Sequence, residues 1–250
     1  MRCHRVFSSE PLDDRTRITL VGDRGRYLTR VLRLARGAEV VLFDGSGLEW
    51  PAVIEGLGRD RVELVTGHAD RPNRESPLAL RLLQGVSRGE RMDYAVQKAT
   101  ELGVRSIFPV LTRYGVVRLE GAQAEKRRRH WQDVAISACE QSGRCHVPTI
   151  ARPAPLSSIV AALPADGPRW RLDPTGECAL GQDSAPAKGA TVTVLIGPEG
   201  GFDEQEALLT TAAGFEVRTL GPRVLRTETA AAAVAAVLQA RWGDLSPQVD

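Results

Sequence analysis

Hydrophobic residues recur along this chain with two different periods, and the change falls near residue 70. In the first seventy residues they lie in short β-rich runs, 17–21, 39–43, 52–55 and 62–65, separated by Gly, Asp and Pro turns. Between the first two runs, residues 27–33 set Leu28, Val31 and Leu32 at helical spacing, and Gly37 is expected to close that short helix. These runs predict a small barrel-like β domain over residues 1–71. Residues 69–77 are polar, contain two prolines and read as a linker.

From residue 78 the chain alternates strands with helices. Residues 78–83 read as a strand. Ser87 and Glu90 have the spacing of a capping box ahead of a helix with Met92, Ala95, Val96, Ala99 and Leu102 on one face, ended by Gly103. A strand at 106–110, a long helix at 122–141 and a short helix at 156–163 follow. The long helix places Trp131, Val134, Ala135 and Ala138 on its apolar side. The final third reads as strand 191–196, turn 197–201, helix 203–213, strand 215–220, loop 221–226 and helix 227–242. Sustained alternation of this kind predicts an α/β domain over residues 72–250, with a mostly parallel sheet covered on both faces.

Composition narrows the class. Of the 250 residues, 42% are apolar and 26% charged, which excludes a disordered chain. No apolar run approaches the roughly 20 residues needed to cross a bilayer, so no membrane partner is expected. The first residues turn polar and acidic by 10–14, and no signal peptide is expected. Four scattered cysteines, Cys3, Cys139, Cys145 and Cys178, fit reduced thiols in a cytoplasm. Cys3-His4 and Cys145-His146 lack any C-x-x-C partner, so no metal site is expected.

The net charge of +2 conceals an uneven distribution. Residues 1–36 carry nine arginines against four acids, and residues 105–129 carry seven basic residues against two acids. Two local basic surfaces on a nearly neutral chain suit docking onto a polyanion.

The two late loops, 197–201 and 221–226, leave the carboxyl ends of strands, where open α/β sheets bind ligands. Gly200 and Gly201 permit close approach of the backbone, although each loop alone also fits an ordinary tight βα turn. Glu199 lies inside the first loop, and Asp203, Glu204 and Glu206 crowd the first turn of the next helix; these carboxylates would repel a pyrophosphate. Neither a dinucleotide nor a P-loop glycine pattern is present. A phosphate-free nucleoside with a positive centre, such as S-adenosylmethionine, meets these conditions.

Ile196-Gly-Pro-Glu-Gly-Gly-Phe202, followed by Leu220-Gly-Pro-Arg-Val-Leu-Arg-Thr-Glu-Thr-Ala230, closely resembles the signature of the ribosomal RNA small subunit methyltransferase E family, of the SPOUT class. Arg91-Met-Asp-Tyr-Ala-Val-Gln-Lys-Ala-Thr-Glu-Leu-Gly-Val104, Ala138-Cys-Glu-Gln-Ser-Gly-Arg144 and Arg2-x-x-Arg5-Val-Phe7 are similar to its other conserved stretches. The resemblance implies a SPOUT domain with a deep trefoil knot, at about 191–242, that forms a homodimer. It also implies a PUA-like RNA-binding barrel ahead of that domain. The implied reaction is S-adenosyl-L-methionine-dependent methylation of N3 of a uridine in 16S ribosomal RNA, on the assembled small subunit.

By the same match, Leu195, Ile196, Gly197, Glu199, Gly200 and Gly201 form one wall of the cofactor site, and Leu220, Gly221, Val224, Leu225 and Ala230 form another. Arg226 opposes the dipole of the helix it precedes, so an anion is expected beside it. N3 of uracil must lose its proton before it attacks, which calls for a base and a stabilising cation. Glu199 and Glu140 are the carboxylates in matching motifs, and a site with no side-chain base stays open. Arg2, Arg5, Arg30 and Arg33 are the RNA-contact candidates of the first domain, and Arg144 is a candidate for the substrate pocket. Two other readings stay open: a SPOUT methyltransferase for another RNA position, such as a ribose hydroxyl or another ring nitrogen, and a non-catalytic RNA-binding or assembly protein.

Overall fold

The computed structural model describes residues 4–245. Arg2 and Cys3 lie outside them. The described chain divides into two units. Residues up to 75 cluster with 139–147, and residues 76–138 cluster with the segment from 148 onward.

The first unit is a five-stranded sheet of β1 (His4–Phe7), β2 (Arg17–Val21), β3 (Glu39–Phe43), β4 (Glu49–Leu57) and β5 (Arg61–Thr66). Its order is β1-β3-β4-β5-β2, with β1 parallel to β3 and every other pairing antiparallel. β1 and β2 remain as free edges of a curled half-barrel. Alternation along β4 and β5 turns Trp50, Ala52, Ile54, Val62 and Leu64 inward, where they pack with Val6, Val40, Leu42 and Leu28.

The helix expected at 27–33 starts earlier and ends earlier. α1 (Gly22–Arg26) continues as a π-helical turn over Tyr27–Val31. Arg33, with φ of 52°, breaks the helical path ahead of Gly37. The wider turn buries Leu28 but leaves Val31 67% exposed, so Val31 is not a core residue.

The second unit is built on a sheet in which all pairings are parallel. Its strands are β6 (Ala79–Gly85), β7 (Ser106–Leu111), β8 (Thr149–Ile150), β9 (Ala154–Pro155), β10 (Arg169–Leu172), β11 (Thr191–Ile196) and β12 (Phe215–Arg218). The order is β12-β10-β11-β6-β7-β8, and β9 also pairs with β7. β10 was not expected. It is four residues long and packs against Trp242 through Trp170, with ring centroids 5.8 Å apart.

The helices of this unit are α2 (Glu90–Glu101), α3 (Gly121–Ser142), α4 (Leu156–Ala162), α5 (Glu204–Ala212) and α6 (Thr227–Trp242). The last residues of α3, from Cys139, belong to the first unit. α2 buries Met92, Ala95, Val96 and Ala99, as its pattern predicts. The capping box expected at its start does not form: Glu90 is already helical, and Gly89 is the N-cap without a side-chain bond. α5 carries a real capping box instead. Asp203 accepts from the Glu206 N–H at 2.7 Å, and Glu206 accepts from the Asp203 N–H at 3.0 Å. Such a cap is worth about 1 kcal/mol. Among the described residues, no helix is long and apolar enough to cross a membrane.

Candidate functional site

Parallel strands deliver every strand-to-helix loop to the same edge of the sheet. At that edge, beyond β10, β11 and β12, lies a cavity of about 520 Å³. Ile196, Gly197, Glu199 and Gly201 line one side, and Leu220, Val224, Leu225, Arg226 and Ala230 line the other. The two loops nominated from sequence therefore meet. Leu195, Gly200 and Gly221 are not lining residues. Leu195 is fully buried in the sheet, and Gly200 packs against Tyr114.

A buried hydroxyl ties the loops together. Thr227 Oγ1 donates to the Gly197 carbonyl at 2.7 Å and accepts from Gln84 Nε2 at 2.7 Å. Gly201 and Gly221 hold φ of 69° and 71°, which a side chain would strain, and the space beside each is open. Val224 is 79% exposed on the cavity wall, an apolar side chain with nothing over it.

The charges lining the cavity are mixed. Arg171 is 7% exposed; its guanidinium donates to the Ala207 carbonyl at 2.9 Å and to Thr210 Oγ1 at 2.7 Å, and lies over the Phe202 ring. Burial opposes ionisation of Asp173, yet donation from Thr175 and the charge of Arg171 outweigh it and hold the carboxyl below its usual range. Of the acidic group read from sequence, only Glu199 lines this cavity. Asp203 and Glu206 are occupied in capping α5, and both also meet Arg113. Glu199 accepts from Arg91 Nη1 at 2.7 Å, with both side chains partly exposed. Arg226 is the N-cap of α6 and is exposed, and its guanidinium has no partner among the described residues.

This lining suits a compact zwitterion with an apolar body: aliphatic walls, the carboxylates of Asp173 and Glu199, and the guanidinium groups of Arg171 and Arg226. S-adenosylmethionine has that character. Arg171, Asp173, Phe202 and Thr227 were not nominated from sequence. The readable signal was the run Trp170-Arg-Leu172 ahead of an Asp-Pro turn, the form of a short strand feeding a loop.

The other nominated residues belong to the first unit. Glu140 accepts from the Phe7 N–H at 3.0 Å and pairs with Arg24 at 3.4 Å. Arg5 pairs with Glu49 and donates to the Arg144 carbonyl at 3.1 Å. Arg144 has a side chain only 4% exposed, held by Glu75 at 2.8 Å. Arg30 and Arg33 are exposed, Arg30 meeting Asp60 at 2.9 Å. His146 hydrogen-bonds to the Gly45 carbonyl at 3.0 Å, while Cys145 lies against Arg5.

Comparison with known proteins places the chain in a family. Residues 74–239 match the family model for an RNA methyltransferase domain, and residues 20–66 match that for an RNA methyltransferase PUA domain. The chain is 30% identical to ribosomal RNA small subunit methyltransferase E of Buchnera aphidicola (subsp. Schizaphis graminum), over 98% of this chain and 99% of that relative. A protein of Legionella pneumophila, solved in complex with the bound cofactor SAM, superposes with a TM-score of 0.93 at 35% identity, covering 98% of this chain and all of the other. Ribosomal RNA small subunit methyltransferase E from Neisseria gonorrhoeae, bound to S-adenosyl methionine, superposes with a TM-score of 0.90 at 36% identity, again over 98% and 100%. With both units matched in order and the predicted loops gathered at one cavity, the chain belongs to the ribosomal RNA small subunit methyltransferase E family of RNA methyltransferases.

Proposed function

We propose that this protein uses S-adenosyl-L-methionine to methylate N3 of a uridine in 16S ribosomal RNA, on the small ribosomal subunit in the cytoplasm. One observation carries the reading: Arg226, a cation at the positive end of α6 with no partner among the described residues, stands in the same cavity as Glu199. A cation placed against a helix dipole calls for an anion in front of it. The anion of this reaction is uracil deprotonated at N3.

When bound, S-adenosylmethionine supplies an electrophilic methyl group on a positive sulfur. Ile196, Leu220, Leu225 and Ala230 would enclose its apolar parts, and Asp173 and Arg171 would face its charged groups. Glu199, oriented by Arg91, takes the N3 proton. Arg226 steadies the negative charge that this removal leaves on the ring. The target base must leave any pairing to expose N3, and the loop edge of the sheet offers it an open approach.

The homodimer belongs to the same proposal. α6 is apolar on nearly all sides, and Ala232, Ala233, Ala236 and Val237 stay only half-buried within one chain. A helix apolar all round is suited to full burial, which a second copy would provide. We place the knot of the SPOUT class at about 191–242, where Thr227 clasps Gly197. Arg30 and Arg33 serve as phosphate contacts of the PUA unit.

The test is methyl transfer to small subunits from cells lacking this modification, with the product nucleoside identified by mass spectrometry. N3-methyluridine is the expected product. A ribose-methylated nucleoside would move the activity to another RNA position. Absence of S-adenosylmethionine binding by calorimetry would favour a non-catalytic RNA-binding protein.

A further inference from the structure

β6 lies next to β11 in the sheet and β7 next to β6, and their carboxyl ends open into segments 86–91 and 112–118 at the same edge as the cavity. The first segment exposes Arg88 and Arg91, and the second exposes Arg113, Tyr114 and Arg118. Tyr114 is 54% exposed, and neither its ring nor its hydroxyl has a partner among the described residues.

The segment beneath that ring is firmly held. The Arg113 N–H donates to Glu206 at 2.9 Å, and the Arg113 side chain meets Asp203 at 3.3 Å. Arg118 donates to the Thr112 carbonyl at 3.3 Å and to the Arg113 carbonyl at 3.4 Å. The cofactor-side loop also abuts it. A Cβ built on Gly200 would lie 2.9 Å from Tyr114 Cβ and 3.0 Å from its carbonyl oxygen. Gly200 is flanked by Glu199 and Gly201, both of which line the cavity. An aromatic side chain is thus fixed at its base, bare on its face, bordered by arginines, and one residue from the proposed proton acceptor.

We propose that Tyr114 is the stacking platform that positions the target uracil at the mouth of the cavity. Flat, unpaired bases are gripped by stacking on aromatic rings, and neighbouring guanidinium groups hold the flanking phosphates. Arg88 is placed for those phosphates, since Arg91 and Arg113 are engaged with Glu199 and Asp203. The assignment rests on the RNA-methylating reading of the cavity. It makes Tyr114 a positioning residue for the substrate and gives it no part in holding the cofactor.

The experiment compares the full-length wild type with Tyr114→Phe, Tyr114→Leu and Tyr114→Ala. The readouts are kcat and KM for unmodified small subunits, S-adenosylmethionine affinity by calorimetry, and thermal midpoint. Loss of a stacked base is expected to lower kcat/KM for the subunit roughly 10- to 100-fold in the Ala and Leu variants. Tyr114→Phe should stay within about threefold of wild type, because the ring face is kept. Cofactor affinity should be unchanged in all three. Wild-type turnover in the Leu variant would overturn the assignment, since apolar bulk alone would then suffice. A fall in cofactor affinity matching the fall in turnover would overturn it as well. If the Ala variant does not fold, the Phe–Leu comparison decides. A wild-type chain that binds S-adenosylmethionine but methylates no subunit would overturn the proposed function itself, and with it this role.

Discussion

Thr227 Oγ1 donates to the Gly197 carbonyl at 2.7 Å, a bond that joins the start of the last helix to a loop thirty residues earlier. The same hydroxyl accepts from Gln84, which is fully buried. Thr227→Val keeps the shape and removes both bonds, leaving the Gly197 carbonyl and one N–H of the buried Gln84 amide without that partner, while Gln84 keeps its bond to the Gly85 carbonyl. We expect a loss of about 1–3 kcal/mol in urea unfolding and weaker S-adenosylmethionine binding by calorimetry. Thr227→Ser should restore most of both. If Thr227→Val matches wild type in stability and affinity, the hydroxyl does not join the loops in solution.

Glu199 and Arg91 form a half-exposed ion pair, which contributes less than about 1 kcal/mol to stability. Glu199→Gln should therefore unfold at nearly the wild-type denaturant concentration. As the proton acceptor, however, its loss should lower kcat by roughly 10²- to 10⁴-fold. Arg226→Ala should likewise abolish transfer in a folded chain with intact cofactor binding. Near-normal single-turnover rates for either variant would remove that residue from the chemistry.

The nominated arginines separate by burial. Arg30 and Arg33 stand exposed, whereas the side chains of Arg5 and Arg144 are 11% and 4% exposed in ion pairs with Glu49 and Glu75. Replacing both Arg30 and Arg33 by Glu should weaken small-subunit binding and flatten its salt dependence, while the melting temperature and cofactor affinity hold. Arg5→Ala should instead destabilise the chain by roughly 1–3 kcal/mol, because it removes one of the two arginines paired with the buried Glu49 carboxylate and leaves Arg74 alone against it. Filter binding across a salt series, set beside thermal melts, tells the two groups apart.

Two glutamates of the first unit respond to pH with opposite signs. Burial pushes the Glu140 carboxyl up, and the Phe7 N–H and Arg24 offset this only in part. The native state then keeps its proton after the unfolded chain has released it, so the penalty grows as pH rises above the ordinary carboxylate range. Glu140→Gln is expected to stabilise at pH 7.5 and to have no effect below about pH 4. For Glu49, burial also opposes ionisation, but Arg5 and Arg74 outweigh it and hold the carboxyl down. Its stabilisation is present above the ordinary range and lost as pH falls. Glu49→Gln should therefore destabilise at pH 7.5 and much less at pH 3. Urea titrations of both variants at each pH check the signs, and matching slopes would refute the assignment.

Long periodic segments were legible because burial alone shapes them. α2, α6 and β11 follow their apolar patterns, and Leu80, Leu82, Val192 and Val194 lie in the sheet as continuous hydrophobic runs require. Short elements were not. β10 has four residues, two of them arginine, and only its neighbours β11 and β12 make it a strand. The π-helical turn over Tyr27–Val31 also escaped, because spacing that fits an α-helix says nothing of a locally wider turn. Ser87 and Glu90 had capping-box spacing, yet the helix begins one residue after Gly89, so the motif found no helix end to cap.

By itself, the sequence determined the class of fold, the two glycine-bearing loops and the family, because periodicity and motif are properties of the linear chain. Only the tertiary structure decided which charges face the cavity. Asp203 and Glu206 turned to their own helix end, Arg144 and Arg5 turned inward to carboxylates, and Arg226 and Tyr114 stayed exposed. The reason is physical. A charged side chain is placed by whichever partner the fold brings within reach, and the partners of Arg5 and Arg144 lie 44 and 69 residues away along the chain.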